Sequence, residues 1–513
     1  MKKLTSQKKI FFLALLLIFL LGLILRILPT RDNNFYFTMD QGNDAVHVRE
    51  ILERKEILLL GPETGLKGLY AGPLWYYFIA IGYALFHGHP FGSVFMLILL
   101  NLSLIWILMW KVGKELSLLW AVIVGIALQT SWWLYDTSRY GFNPFPLVFL
   151  SFMMIFALID FLRGKDKSYI LAAIPIGLAY NTEIAGSIAF TLFYLLVGLW
   201  AIFKKHTSWK LILTGILVIG LFLMPLFINE LTSGFSQTHT LIKEFENPAG
   251  VFSEQLFHVI TPRFSKIISR SSLRQIPEIG ILIFTLLVVL VSRKWATKRK
   301  INLFIKYFVL LTLILLATSW LWFSSNKGWQ SWQTVYLSPL IFVSFLLLLF
   351  ELKIFIALPL LTISLISHFL IFQDRYAQYY KPADDASTLK NEISAIDWVY
   401  KQAEGKGFYV YNYLPSVYDY PYQYLFWWYG RGKYGYLPCE YSTYPNTADL
   451  FVPGLKYYQE PKRECSNLRF LIIEPDKNRE IQNIWLNGVR KDTILLEEDK
   501  IGDISVEKRQ INK

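Results

Sequence analysis

What most constrains this chain is a succession of apolar runs of roughly 17 to 25 residues, the length at which a helix crosses a bilayer, separated by short basic loops. Only 17% of its 513 residues are charged, against about 25% in a soluble protein. The chain therefore reads as a polytopic α-helical membrane protein. Its net charge of +13 does not point to nucleic acid, because Lys and Arg gather in the loops between apolar runs, as cytoplasmic loops do. The first run, 10–28, follows Lys2, Lys3, Lys8 and Lys9 and so resembles a signal peptide. Leu25-Arg26-Ile27-Leu28-Pro29 is no small-residue cleavage site, and the run reads as a retained first helix.

Basic clusters at 2–9, 111–114, 163–167, 204–210 and 293–300, with a weaker turn at 351–353, set the expected topology. Spans are expected at 10–29, 93–110, 117–135, 144–162, 168–182, 183–203, 210–229, 278–292, 302–322, 333–350 and 354–372, which is about eleven. The N-terminus is then cytoplasmic and the C-terminal region outside. The run 72–87 is short and rich in Tyr and Trp, which favour the membrane–water interface. If it crossed fully, every later basic loop would face outward, so an interfacial or re-entrant helix is expected. The alternative is a twelfth span that breaks the charge rule.

Four segments then face outside, 30–92, 135–144, 230–277 and 324–332, together with the tail. From 373 the composition turns to that of a soluble domain. A helix is expected at 386–403 and strands at 407–413, 469–474 and either 493–497 or 504–508, an alternation that predicts a small α/β domain. The division is thus a membrane domain over 1–372, with its first outer loop at 30–92, and an extracytoplasmic domain over 373–513. Cys439 and Cys465 both fall in the tail, where oxidising conditions permit a disulfide.

The first outer loop carries Met39-Asp40-Gln41-Gly42-Asn43-Asp44. A carboxylate there can take the proton of a hydroxyl nucleophile once burial or a neighbour tunes its pKa. The competing reading is that Asp40 or Asp44 caps a helix starting near Ala45. The following residues, Val46, Val48, Ile51 and Leu52 against Arg49, Glu50, Glu53 and Arg54, predict an amphipathic helix lying on the membrane surface. Asp40, Asp44 and His47 are candidate ligands for a divalent cation; no other metal cluster is apparent. In the 135–144 turn, Arg139 suits bidentate phosphate binding, with a snorkelling surface arginine as the alternative. Asp136 precedes it, and Asn143-Pro144 reads as the start of the next span.

Arg263, Lys266, Arg270 and Arg274 stand at near-helical spacing on an outward loop. They suit either a phosphate or pyrophosphate group or anionic lipid headgroups. Glu183 lies at a break between apolar runs, as a functional carboxylate or a simple turn. Lys67 and Lys327 are weaker phosphate-site candidates. Tyr76 opens the helix after Gly72-Pro73, and Tyr424, Trp427 and Trp428 suit either a sugar-stacking platform or a core. Walker, dinucleotide and Ser/His/Asp patterns are not found.

The acidic turn Met39-Asp40-Gln41-Gly42-Asn43-Asp44, the helix start Gly72-Pro73-Leu74-Trp75-Tyr76-Tyr77 and the turn Ser138-Arg139-Tyr140-Gly141-Phe142-Asn143-Pro144 together resemble the GT-C glycosyltransferases. The likeness is to the family 39, protein O-mannosyltransferase and lipid A aminoarabinose transferase type, over roughly residues 10–350. The pattern departs from the family's at two places. Gly72 stands where many relatives have His or Lys before the proline, and Asn143 where several have Asp, so the second acidic residue is either absent or replaced by Asp136. The resemblance implies transfer of a sugar, hexosyl or pentosyl, from a polyprenyl-phosphate donor to an acceptor hydroxyl outside the membrane, with inversion. It implies Asp40 as general base, with Asp44 beside it, and Arg139 and the 263–274 cations on the phosphate. The rival classes are a lipid-carrier flippase and a non-catalytic envelope-assembly protein. A transporter is expected to carry polar residues near mid-span and paired broken helices, and here the polar residues cluster on one side.

Overall fold

In the computed structural model the described residues are 6–246, 254–272, 277–296, 302–324, 330–381, 383–416, 418–447, 454, 457–458 and 462–512. The apolar runs form helices, and the polar punctuation between them ends each one. The chain enters as α1 (Ser6–Ile27), whose run stops at a 3-10 turn over Leu28–Asn33 that begins with Pro29. α2 (Met39–Arg54) and α3 (Leu74–Leu85) form the first polar loop. There follow α4 (Phe91–Glu115), α5 (Leu118–Gln129), α6 (Trp132–Asp136), α7 (Pro146–Leu162), α8 (Lys167–Ala179), α9 (Ile184–Phe203), α10 (Trp209–Phe222) and α11 (Met224–Thr232). The membrane part closes with α12 (Ser236–Glu246), α13 (Glu254–Ser272), α14 (Pro277–Ala296), α15 (Leu303–Ser324), α16 (Leu337–Phe350) and α17 (Ile354–Tyr380).

Among the described residues six helices are long and apolar enough to cross a membrane, or seven if α10 and α11 are one bent span. The expected count of about eleven is reached only by adding shorter apolar helices at 118–129, 146–162, 167–179 and 279–293, which fall on expected spans. Two expected spans are broken. The 117–135 run stops at Gln129 and resumes as α6. The 210–229 run bends by 62° between α10 and α11, where Pro225 removes an amide donor and crowds the preceding turn. α3 and α5, at 12 residues each, and α8, at 13, span about 18–20 Å and are each shorter than a bilayer core. α16 is buried from Leu337 to Leu349, and a helix apolar on every side belongs at a bundle centre. It packs against α13, α14, α15 and α17.

α17 runs through Tyr380, past the expected boundary at 372, and leads into the tail. The tail comprises α18 (Leu389–Ala403), β1 (Gly407–Tyr413), α19 (Tyr420–Leu425), α20 (Arg431–Tyr434), β2 (Glu440–Ser442), β3 (Cys465–Ile473), α21 (Arg479–Arg490), β4 (Thr493–Ile501) and β5 (Ile504–Ile511). The sheet order is β2-β1-β3-β5-β4, with β1 parallel to β2 and β3, and β5 antiparallel to β3 and β4. Strand alternation gives the sheet two buried faces. Phe408, Val410, Phe470 and Ile472 meet α18, while Tyr411, Tyr413, Leu471 and Ile473 meet Trp485 and Val489 of α21. A disulfide joins Cys439 and Cys465.

The tail is sewn onto the first polar loop rather than hanging free. Phe37 donates its amide to the Ser387 carbonyl at 2.9 Å, and Leu389 donates to Phe35 at 3.0 Å. α19 packs along α2.

Candidate active site

The site is built on the start of α2. Thr38 is the N-cap, and Gln41 completes a capping box: its Oε1 accepts from the Thr38 amide at 2.9 Å and the Thr38 hydroxyl at 2.6 Å. Two expectations are thereby corrected. The helix begins at Met39, not near Ala45, so neither Asp40 nor Asp44 is its cap. Nor is its whole charged side open to water: Arg49 and Glu50 are buried along with Val46 and Val48, while Glu53 and Arg54 are exposed. Arg49 lies 3.8 Å over the ring of Tyr458 and pairs with Glu50, which also binds Arg54 at 2.8 Å. The tail covers what the sequence alone assigns to solvent.

Asp40 and Asp44 stand one turn apart on α2 and differ in environment. Asp40 remains exposed, yet enough protein surrounds its carboxyl that burial raises its pKa. Asp44 is 5% exposed, and its Oδ2 accepts from the Trp75 indole at 2.7 Å. Burial pushes the Asp44 carboxyl well up, the indole pulls it partly back, and Asp40 adds to the rise. A solvent-open, strengthened base thus sits beside a buried, tethered carboxyl. Such separation of two neighbouring acids by environment is how acid and base roles are divided.

The 136–143 turn is brought to this helix by Gln41, whose Nε2 donates to the Gly141 carbonyl at 2.8 Å. Tyr140 faces Asp40 and Asp136 and has its phenol raised by burial first, then by Asp136, Tyr379 and Asp40. Tyr36, edge-on to Tyr140 at 6.3 Å, is raised by burial and Asp385, while Arg139 acts the other way. Arg139 is 3% exposed and lies 4.4 Å over the ring of Tyr379. Its Nε and Nη1 find no hydrogen-bond partner among the described residues. A buried guanidinium with open donors is costly unless an anion meets it, so the snorkelling reading does not describe this residue. Asn143 does not cap α7, which starts at Pro146; it donates to the Thr182 carbonyl at 2.5 Å instead.

Other candidates lie elsewhere or are already engaged. Tyr76 is 1% exposed and stacks on His47 at 4.8 Å. His47 binds the Asn43 carbonyl through Nδ1 at 2.8 Å. Asp40, Asp44 and His47 do not converge, and among the described residues no three His, Cys, Asp or Glu side chains form a cluster that could hold a metal ion. Glu183 caps α9, accepting from the Ala185 amide at 3.2 Å and from the Gly186 amide; burial pushes it up to about 7 against those bonds. Lys67 is exposed on the 61–71 loop. Arg263, Lys266 and Arg270 line the exposed side of α13, whose other side packs on α14, α15 and α16. Arg274 and Lys327 lie outside the described residues.

The aromatic tail segment is packing, not an open platform. Tyr424 and Trp427 are buried, Tyr424 donates to the Gly88 carbonyl at 2.6 Å, and Trp428 donates to the His87 carbonyl at 2.9 Å. Gly72 is explained as well. Its amide donates to the Tyr180 carbonyl at 3.0 Å, and a Cβ there would run into the Asn181 amide group. A His or Lys at this position does not fit.

Sequence reasoning passed over Arg26, in the last turn of α1. It is 1% exposed and reaches the same turn as Arg139. An arginine within an apolar run is the signal that marks it.

No protein-family model matches the chain, and no curated protein sequence matches it. Solved structures do. ArnT from Cupriavidus metallidurans bound to undecaprenyl phosphate aligns over 98% of both chains at 12% identity with a TM-score of 0.58. The apo state of the same ArnT aligns over the same shares, at 12% identity and a TM-score of 0.59. An Archaeoglobus fulgidus oligosaccharyltransferase in complex with Zn and sulfate covers 94% of this chain and 71% of its own at 12% identity and a TM-score of 0.49. The chain has the GT-C fold of ArnT, with several apolar helices and a small C-terminal sheet.

Proposed function

We propose that the chain is a membrane glycosyltransferase that moves a sugar from a polyprenyl-phosphate carrier to an acceptor hydroxyl on the extracytoplasmic side. One observation carries this reading. Asp40, an open carboxyl of raised basicity, and Arg139, a buried guanidinium with unused donors, are docked together through the Gln41–Gly141 hydrogen bond. That is a base and an anion holder on adjoining segments. The ArnT structure with undecaprenyl phosphate, whose fold this chain shares, supports a lipid phosphate as the anion.

In this mechanism Asp40 takes the acceptor's hydroxyl proton as its oxygen attacks the anomeric carbon from the side opposite the phosphate. The new carbon–oxygen bond forms while the bond to the carrier phosphate breaks, and its electron pair leaves with the phosphate. A single displacement inverts the anomeric centre. The departing phosphate needs positive charge rather than a proton, and Arg139 supplies it in a water-poor setting where such electrostatic stabilisation is strongest. Asp44, held by Trp75, supports α2 under Asp40 and does not touch the substrate. The charge pattern of the loops favours a cytoplasmic N-terminus and an outer tail.

The experiment is transfer of labelled sugar from polyprenyl-phosphate donors by the purified full chain, comparing wild type with Asp40→Asn and Asp44→Asn. The reading expects Asp40→Asn to bind donor yet lose turnover by at least about 10²-fold, with a smaller effect at Asp44. Turnover unchanged in Asp40→Asn would remove Asp40 as base. Wild type consuming no such donor would remove the enzyme reading and favour the flippase.

A further inference from the structure

Arg26 is a cation buried in the last turn of a membrane helix, and the four hydrogen-bond acceptors it uses are all neutral. Nε donates to the Ser138 hydroxyl at 3.1 Å, Nη1 to Gln129 Oε1 at 2.6 Å and to the Gly22 carbonyl at 3.1 Å, and Nη2 to Asn101 Oδ1 at 2.9 Å. Asn101 in turn donates to the Leu134 carbonyl at 2.6 Å and the Thr137 hydroxyl at 3.1 Å. The Arg26 fork therefore grips the end of α6 and the residue just before Arg139.

All four of the Arg26 bonds end on neutral oxygens, so the charge is carried out of water with no carboxylate among its hydrogen-bond partners, and an uncompensated buried charge is strongly penalised. Arg26 also lies 5.2 Å from the Tyr135 ring, and Tyr135 feels both Arg26 and Arg139. Two buried guanidiniums thus flank one phenol. One is fully engaged by neutral oxygens, and the other has two open nitrogens. Neither has a carboxylate among its hydrogen-bond partners, and the nearby Asp136 acts on the same phenols as Arg139.

We propose that Arg26 is a positioning residue for the anionic headgroup of the lipid substrate. It fixes the Ser138–Arg139 turn and adds a second positive charge behind Arg139, so the phosphate is the counterion of a two-arginine site. The proposal rests on the lipid-phosphate reading above, and it assigns the first membrane helix a part in phosphate selection that the polar loops do not contain.

The test is binding of undecaprenyl phosphate and of the uncharged alcohol undecaprenol to the full chain in nanodiscs, for wild type, Arg26→Gln, Arg26→Lys and Ser138→Ala. Wild type should prefer the phosphate. Arg26→Gln should weaken phosphate binding at least tenfold and leave undecaprenol binding within twofold, whereas Arg26→Lys, which keeps the charge, should retain most of the preference. Ser138→Ala keeps both charges and should lose less than Arg26→Gln. A purely structural Arg26 would weaken both lipids alike, with Lys as harmful as Gln, and that result overturns the proposal. Should Arg26→Gln fail to fold, a Lys variant that folds but has lost the phosphate preference overturns it equally. If wild type itself does not prefer the phosphate, the lipid-phosphate reading fails first, an outcome distinct from a preference that survives Arg26→Gln.

Discussion

Gly42→Ala sets two opposed effects against each other within the helix that carries Asp40. In a helix interior Ala is favoured over Gly by about 1 kcal/mol, so local propensity predicts a more stable protein. The structure predicts the reverse. A Cβ at position 42 would run into the amide nitrogen and Cδ of Pro421 and the carbonyl carbon of Tyr420. Those are backbone and ring atoms that cannot swing aside like a long side chain, so α2 and α19 must separate. Overpacking of this kind costs about 1–3 kcal/mol. With contacts on several atoms the upper half applies, leaving a net loss of about 1–2 kcal/mol after the propensity gain. The separation also moves Asp40, two residues away, relative to the 136–143 turn. Because a shift of about 1 Å at a reacting group can cost on the order of 10²-fold in rate, a few tenths of an ångström should lower kcat about tenfold. Donor affinity should change little, since Arg139 sits on another segment. Thermal unfolding and single-turnover transfer on the same preparation give both numbers. Pro421→Ala, which removes Cδ, should restore part of each loss in the double variant. A Gly42→Ala protein with an unchanged or higher Tm and normal turnover would refute the claim that the tail braces this helix.

Because Asp40 must be ionised to accept a proton and its pKa is raised by burial, kcat/KM should fall on acidification at a pH above the ordinary aspartate value of about 3.9; a flat profile down to that value argues against it as the base. Glu392 is fully buried with neither carboxylate oxygen hydrogen-bonded, and Glu474 beside it is raised to about 8, burial being the main cause for both. Their folded pKa values exceed the unfolded ones, so their neutral forms are compatible with folding at low pH. Stability is then lost as pH rises from about 4.5 towards 8, by up to about 1.4 kcal/mol per pH unit for each proton released. Glu392→Gln should flatten that slope in melts taken from pH 5 to 8.5, and an unaltered slope counts against the pair. Replacing Cys439 and Cys465, 26 residues apart, by Ser should destabilise the tail by about 3.5 kcal/mol through loop entropy; chemical denaturation of the full chain, followed by tail tryptophan fluorescence, reads this directly.

What the sequence discloses depends on whether the determining contact is local. β1 is legible to the residue at 407–413 because aromatic and β-branched residues bounded by Gly and Pro report a half-buried strand. α3 is legible as a short helix because its apolar run is itself short. The start of α2 is not, since Thr38, Asp40, Asn43 and Asp44 are all good caps by type. Only the reciprocal bonds of Thr38 and Gln41 decide among them. The charged side of α2 reads as solvated because nothing within 45–54 announces that Tyr458, some 400 positions away, will cover Arg49. Glu392 and Glu474 read as ordinary surface glutamates for the same reason.

Arg26 and Arg139 extend this point to the site itself. Each is a single arginine at the edge of an apolar run, where a snorkelling side chain is the ordinary expectation. Their meaning emerges only when α1, α4, α5 and the 136–143 turn meet and bury both guanidiniums. Asp40 follows the same rule from the other side: its basicity comes from residues folded around it, including Tyr140 on one flank and a tail that reaches back to Phe35 and Phe37. A site whose base sits on a helix pinned between the membrane part and the tail cannot be rebuilt from either part alone. On this reading the tail is a structural half of the active site rather than an appendage, and its removal should abolish transfer even though it contributes none of the proposed reacting groups.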